Sequence, residues 1–159
     1  MKPEQIIADT GAWLALFSRK DQHHREAAFW CAAKPEQVFL VTYLIIAETL
    51  VRLRRDGIHK EKVIEAGTIF SSSKGIELQT EQGKATARVE IVSVEQADHQ
   101  RALEILEKYW DNRSIDYVDC VTVAVAQRLG ISHIFSFDSH FDRFPEILQR
   151  VPYSGLQLH

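Results

Sequence analysis

Short apolar runs alternate along this chain with longer stretches of helical period, and that alternation constrains the fold more than any other feature of the sequence. Ile6-Ile7-Ala8 reads as a short buried strand ended by Asp9-Thr10-Gly11, and residues 12–17 start a helix. Residues 21–33 read as a second helix, with Asp21 as N-cap and Pro35 just past the end. Val38-Phe39-Leu40-Val41 is a second strand, and Thr42 is placed to cap a helix that runs to about Arg55 and stops at Asp56-Gly57. Residues 59–72 form a further helix. In residues 76–88, Gln82-Gly83 reads equally as a hairpin turn between two polar strands or as part of a frayed helix. Residues 89–94 are a strand. Residues 95–110 are helical, with Ala102, Leu103, Leu106 and Tyr109 at helical spacing. Residues 116–129 form another helix, stopped by Gly130. Residues 133–137 are a strand ending at Asp138, a turn or short helix runs through Phe144, and Leu156-Gln157-Leu158 reads as a last edge strand. Strands separated by helices in this way predict an α/β fold with a mostly parallel sheet covered on both faces.

Composition narrows the setting. The 159 residues are 45% hydrophobic and 26% charged, as expected of one globular domain that needs no staples. Two cysteines, Cys31 and Cys120, are too few for a disulfide scaffold and point to a reduced, cytoplasmic setting. Only three apolar residues follow Met1-Lys2-Pro3-Glu4-Gln5 before Asp9, too short a run for a signal-peptide core. The most apolar stretch, residues 38–47, contains Thr42 and Tyr43 and ends at Glu48, so it cannot span a bilayer. With 19 Lys+Arg against 22 Asp+Glu, the net charge of −3 argues against a protein that wraps duplex DNA by charge alone.

Four acids carry the functional signal. In a parallel sheet, ligands bind beyond the carboxyl ends of the strands. Asp9 and Asp138 each follow a strand directly, while Glu48 and Asp119 lie in the opening turns of apolar helices. Each has an ordinary structural reading: Asp9 and Asp138 as turn or cap residues, and Glu48 and Asp119 as acids at a helix N-terminus, with Asp116 an N-cap. The four together are harder to explain this way. They are expected to converge on one sheet edge, with no Lys or Arg in their immediate sequence neighbourhoods. Carboxylates grouped without cations call for a hard divalent ion, Mg²⁺ or Mn²⁺. Such ions, one or a pair, perform phosphoryl chemistry. The only basic cluster, residues 52–62, follows Glu48 by about one helical turn. It reads either as a hold for RNA phosphates or an acidic partner, or as a plain solvated helix face.

The segments Ile7-Ala8-Asp9-Thr10-Gly11-Ala12-Trp13-Leu14-Ala15-Leu16, Ala47-Glu48-Thr49-Leu50, Asp116-Tyr117-Val118-Asp119-Cys120 with Ala124 and Ala126, and Ile134-Phe135-Ser136-Phe137-Asp138-Ser139-His140-Phe141 together resemble the PIN domain family. Within it, they resemble the VapC-type toxin ribonucleases of toxin–antitoxin systems. The resemblance spans nearly the whole chain and implies a three-layer α/β/α sandwich with a mainly parallel, about five-stranded sheet, over residues 1–159 as a single domain. It implies Asp9, Glu48, Asp119 and Asp138 as ligands of Mg²⁺ or Mn²⁺. Thr10 and Ser136 would steady ligands or water, and Asp116 would be a further acid or a cap. It also implies RNA as substrate, products ending in 5′-phosphate and 3′-hydroxyl, a small antitoxin that blocks the site, and a homodimer. The chain departs from compact members by extra length at residues 76–88, and Gly11 stands where Ser is common.

Rival readings fit less well. A haloacid-dehalogenase-like phosphatase needs a second Asp where Gly11 stands. A phospho-accepting receiver domain needs a Lys where Asp138 stands. A PIN-like module without activity, serving only to bind, is opposed by the intact set of four acids. Neither cysteine has a flanking His, and there is no Gly-x-Ser-x-Gly. His23 and His24 are adjacent, so on a helix they diverge and read as surface residues rather than a metal pair. Trp13, Trp30 and Trp110 are expected in the core or at dimer contacts.

Overall fold

The structure, a computed structural model, describes residues 4–72, 75–80, 83–144 and 149–152. Six strands form one sheet in the order β3-β4-β2-β1-β5-β6. They are β1 (Gln5–Ala8), β2 (Val38–Val41), β3 (Ile76–Thr80), β4 (Gly83–Ile91), β5 (His133–Phe135) and β6 (Gln149–Val151). All neighbours are parallel except β3 and β4. Helices flank the sheet in the α/β/α arrangement: α1 (Thr10–Phe17), α2 (His24–Ala32), α3 (Tyr43–Arg55), α4 (Lys60–Ser72), α5 (Gln96–Lys108) and α6 (Tyr117–Leu129). A short 3-10 helix, Ser139–Arg143, follows β5.

Local chemistry sets most helix ends. Thr42 caps α3 through the Ile45 N–H, and Asp116 caps α6 through the Asp119 N–H. Gly130 ends α6 at φ 66°, the left-handed conformation that glycine adopts without a Cβ penalty. Helix α2 begins later than expected, at His24. Asp21 accepts from the His23 N–H in the preceding turn instead of capping the helix.

Residues 76–88 resolve as an antiparallel hairpin, which gives the sheet a sixth strand rather than five. Gly75 enables its entry: at φ 79°, a Cβ there would lie 2.5 Å from the Ala87 carbonyl oxygen. Residues 81 and 82 lie outside the described residues, as does the edge strand expected at 156–158. The strand expected through Val94 ends at Ile91, and the one expected through Phe137 ends at Phe135.

The core is aromatic at its centre. Trp13 is fully buried, and its ring contacts Phe17, Phe39 and Phe70 with centroids 5.0–6.0 Å apart. Its indole N–H donates to the Ala8 carbonyl, 3.1 Å away, which ties α1 to the end of β1. Trp30 is half-buried and stacks on Phe135, whereas Trp110 is 72% exposed and so is not a core residue. His23 and His24 are half-buried and engaged, not free surface groups. His23 stacks on Phe137, and His24 Nδ1 lies 2.7 Å from the Ala15 carbonyl. Both cysteines are buried and free. Helix α5 is fastened to α6 by Arg128, whose Nε reaches both oxygens of the buried Asp98. No helix among the described residues is long and apolar enough to cross a membrane.

Candidate active site

The fold brings the expected acids to the carboxyl edge of the sheet. Asp9 leaves the end of β1, where its N–H donates to the Phe135 carbonyl of β5. Its side chain is buried. Oδ1 accepts the Ala12 N–H at 2.7 Å, capping α1, and Oδ2 accepts the Ser136 hydroxyl. The cap reading and the site reading of Asp9 therefore hold together. One carboxylate ends the strand, starts the helix and faces the other acids. Ser136 is itself fully buried and accepts the Asp138 N–H at 3.0 Å, so it links the two strand-end acids.

Glu48 projects from the second turn of α3. Its Oε2 accepts the Thr10 hydroxyl at 2.7 Å. Asp116 and Asp119 form a reciprocal capping box at the start of α6, each side chain accepting the other's N–H at 2.9 Å. Asp138 is exposed, and Asp119 is half-buried. A Cβ at Gly11 would stand 3.6 Å from the Asp9 carboxylate, an ordinary contact, so the site does not require glycine there.

His140 is the residue that sequence reasoning missed. It sits in the 3-10 helix between two of the acids. Nδ1 is 2.9 Å from Asp138 Oδ1, and Nε2 is 3.1 Å from Asp119 Oδ2. The second contact is one of charge rather than a hydrogen bond, since buried Nε2 has no acceptor in line with it. The only sequence signal was its place two residues after a strand-end acid, which equally describes a turn. A second cation, Arg150, also approaches from β6. Its guanidinium is held by Asp142 at 3.0 and 2.9 Å, a pairing that raises its pKa, with smaller contributions from Asp138 and Asp9. The site is thus less free of cations than local sequence suggested.

The electrostatics follow from this crowding. Burial is the main cause that pushes Asp9 up to about 7. The charges of Asp119 and Asp138 add to it, and the Ser136 and Ala12 hydrogen bonds oppose it. Asp116 is also raised, by burial first and then by the charges of Asp119 and Glu48. Burial works against a charged His140, but its contacts with Asp119 and Asp138 outweigh this and raise its pKa above the ordinary 6.5.

These shifts predict a pH dependence in the metal-free protein. Between about pH 4 and 7 the folded state holds a proton on Asp9 that the unfolded chain has released, so stability falls as pH rises. His140, raised in the folded state, acts in the same direction above pH 6.5. Thermal melts in EDTA should show Tm declining across this window, by a few kcal/mol of stability, and Asp9→Asn should flatten a large part of the slope. An unchanged slope in the variant would rule out Asp9 as its source.

Among the described residues, no group of three or more His, Cys, Asp or Glu side chains is arranged to hold a metal ion as it stands. The donor chemistry nevertheless fits a hard divalent cation. The acids are all oxygen donors, and the charges of Asp119 and Asp138 help to push Asp9 up while those of Asp119 and Glu48 help to push Asp116 up, a repulsion that a divalent cation would relieve. Asp9, Glu48, Asp119 and Asp138 are the residues that could hold the ion, with Asp116 at the margin.

Comparison with known proteins identifies the family and the fold. The family model described as "PIN domain" matches residues 6–147. No curated protein sequence matches the chain. Among solved structures, the chain is similar to Mycobacterium tuberculosis VapC20, described as a sarcin-ricin loop cleaving toxin. Identity is 26% and the TM-score 0.69, over 87% of this chain and 94% of that one. It is also similar in fold to a toxin–antitoxin complex from Klebsiella pneumoniae (16% identity, TM-score 0.56, 91% of this chain and 96% of that one). A third likeness in fold is to VapBC2 from Rickettsia felis bound to a DNA fragment from its promoter (14%, 0.61, 92% and 98%).

Proposed function

The chain belongs to the PIN domain family, and from that premise we propose that it is a divalent-metal-dependent endoribonuclease, the toxin of a toxin–antitoxin pair. The observation that carries this reading is the convergence of Asp9, Glu48, Asp119 and Asp138, from four separate elements, on one edge of the sheet. The similarity to VapC20, described as a sarcin-ricin loop cleaving toxin, supports RNA as the substrate class. The toxin–antitoxin complexes among its structural relatives support a small antitoxin as partner. A homodimer, a cytoplasmic location and a single domain over residues 1–159 complete the proposal.

Bound at these acids, Mg²⁺ or Mn²⁺ would supply polarisation of a phosphodiester oxygen and activation of water. The protein's own contribution is to hold the carboxylates still. Ser136 and the Ala12 N–H orient Asp9, and the Thr10 hydroxyl orients Glu48. The capping box fixes Asp119 against Asp116. His140 keeps Asp119 and Asp138 at a common position. Attack by water rather than by the 2′-hydroxyl leaves 5′-phosphate and 3′-hydroxyl ends.

The test is incubation of the protein with labelled single-stranded RNA in Mn²⁺, Mg²⁺ or EDTA, beside Asp119→Asn. Cleavage is expected with a divalent ion, none with EDTA, and at least a hundredfold loss in the variant. Cleavage that persists in EDTA contradicts the metal-dependent reading. Absence of both cleavage and divalent-ion binding favours a module that only binds.

A further inference from the structure

We propose that Arg52 and Arg55 of α3 form a track that holds the phosphates of the RNA strand next to the cleaved bond. This inference rests on the ribonuclease reading above and names how that site holds its substrate. Glu48, Arg52 and Arg55 stand at positions i, i+4 and i+7 of one helix, so they share a face. At 1.5 Å per residue, the two arginines lie roughly 6 and 10 Å along the helix from Glu48. A strand with one phosphate at the carboxylates therefore passes both guanidinium groups if it follows α3.

Three observations favour this over a plain solvated face. Arg52, Arg54 and Arg55 are exposed, and among the described residues none of them makes a side-chain hydrogen bond or an ion pair. Arg52 stands at the spacing at which Glu48 would pair with it, yet the Glu48 carboxylate takes the Thr10 hydroxyl instead. Two cations are thus left unneutralised beside a group of carboxylates, in a chain whose net charge is −3. The partial negative charge at the end of α3 favours arginines in the last turn, but it does not select a face. Face selectivity therefore separates the two explanations. Arg54 lies away from the Glu48 face, opposite the buried side formed by Ile45, Thr49 and Leu53, so it serves as an internal control. Guanidinium groups suit the task because they engage phosphate oxygens bidentately without drawing on base identity.

The experiment compares the wild type with Arg52→Gln/Arg55→Gln and with Arg54→Gln. Binding of a labelled single-stranded RNA is measured in EDTA across a salt series, and cleavage kinetics are measured in Mn²⁺. For the double variant, the slope of log affinity against log salt should shrink by about 1.4, two phosphate contacts on a single strand. KM for RNA should rise roughly tenfold or more with kcat little changed. Hydrolysis of bis-p-nitrophenyl phosphate, which has no neighbouring phosphates, should stay at the wild-type rate and show that the carboxylate site and fold are intact. Arg54→Gln should leave the slope and KM near wild type. Equal losses in both variants would reduce the effect to general charge and overturn the track. Unchanged RNA binding in the double variant, with wild-type cleavage present, would overturn it in favour of a surface facing an acidic protein partner. If the wild type neither binds nor cleaves RNA, the ribonuclease reading fails and the track with it.

Discussion

Asp9→Asn is expected to lower RNA cleavage a thousandfold or more while the protein stays folded. The two halves of this expectation come from different atoms of the same side chain. Asparagine keeps an oxygen to accept the Ala12 N–H, so the start of α1 survives. The amide can also stay against the Ser136 hydroxyl by reversing the direction of donation. What disappears is a buried negative charge that burial and the neighbouring Asp119 and Asp138 already disfavour, so the metal-free variant should melt no lower than the wild type at pH 7 and above. A divalent ion loses the one charged oxygen donor of the site that is itself buried. Lewis-acid stabilisation of several kcal/mol is at stake, and each 1.36 kcal/mol is tenfold in rate. Cleavage in Mn²⁺, thermal melts in EDTA and calorimetric titration with Mn²⁺ check the three parts. A variant that melts normally and cleaves within tenfold of wild type would remove Asp9 from the catalytic set.

Trp13→Ala should cost 3–5 kcal/mol of stability, the largest effect expected of any single core substitution here. The side chain is fully buried among Phe17, Phe39 and Phe70, and these large rings cannot collapse into the space it leaves. Against a typical total of 5–15 kcal/mol, the variant sits near the limit of folding, with Tm lower by roughly 10–15 °C. Trp13→Phe separates the ring from the hydrogen bond. It keeps most of the packing but leaves the Ala8 carbonyl without its indole donor, at roughly 1–3 kcal/mol. Because Ala8 precedes Asp9, the Phe variant should also disturb the site more than its stability loss suggests. Urea unfolding measures the first effect, and RNA cleavage well below the melting temperature measures the second. A loss under 1 kcal/mol for Trp13→Ala would mean that the ring cluster is not the centre of the core.

The elements and their order were legible along the chain because their signals are local. Apolar runs mark β1 and β2, and Thr42, Asp116 and Gly130 mark the ends of α3 and α6 through interactions within a few residues. Asp21 shows the limit of such signals. An aspartate can accept from a turn as readily as from a helix, and here it binds the His23 N–H one turn early. The hairpin of β3 and β4 was undecidable locally, since its polar residues satisfy either period. What selects the strand is pairing of β4 to β2 on one side and to β3 on the other.

The same division runs through the candidate site. Which carboxylates gather at the sheet edge is readable along the chain, because each is tied to a strand end or a helix start. What stands among them depends on how the layers pack. His140 lies between Asp119 and Asp138 because the 3-10 helix folds back toward α6, and Arg150 arrives from a strand that pairs with β5. Trp13 and Trp110 share a helical apolar pattern, yet one is the buried centre of the core and the other faces solvent. Periodicity and capping act over one or two helical turns, whereas the Ser136 hydroxyl reaches Asp9 across 127 positions of the chain. Such partners are chosen by how layers pack, and no local pattern encodes that choice.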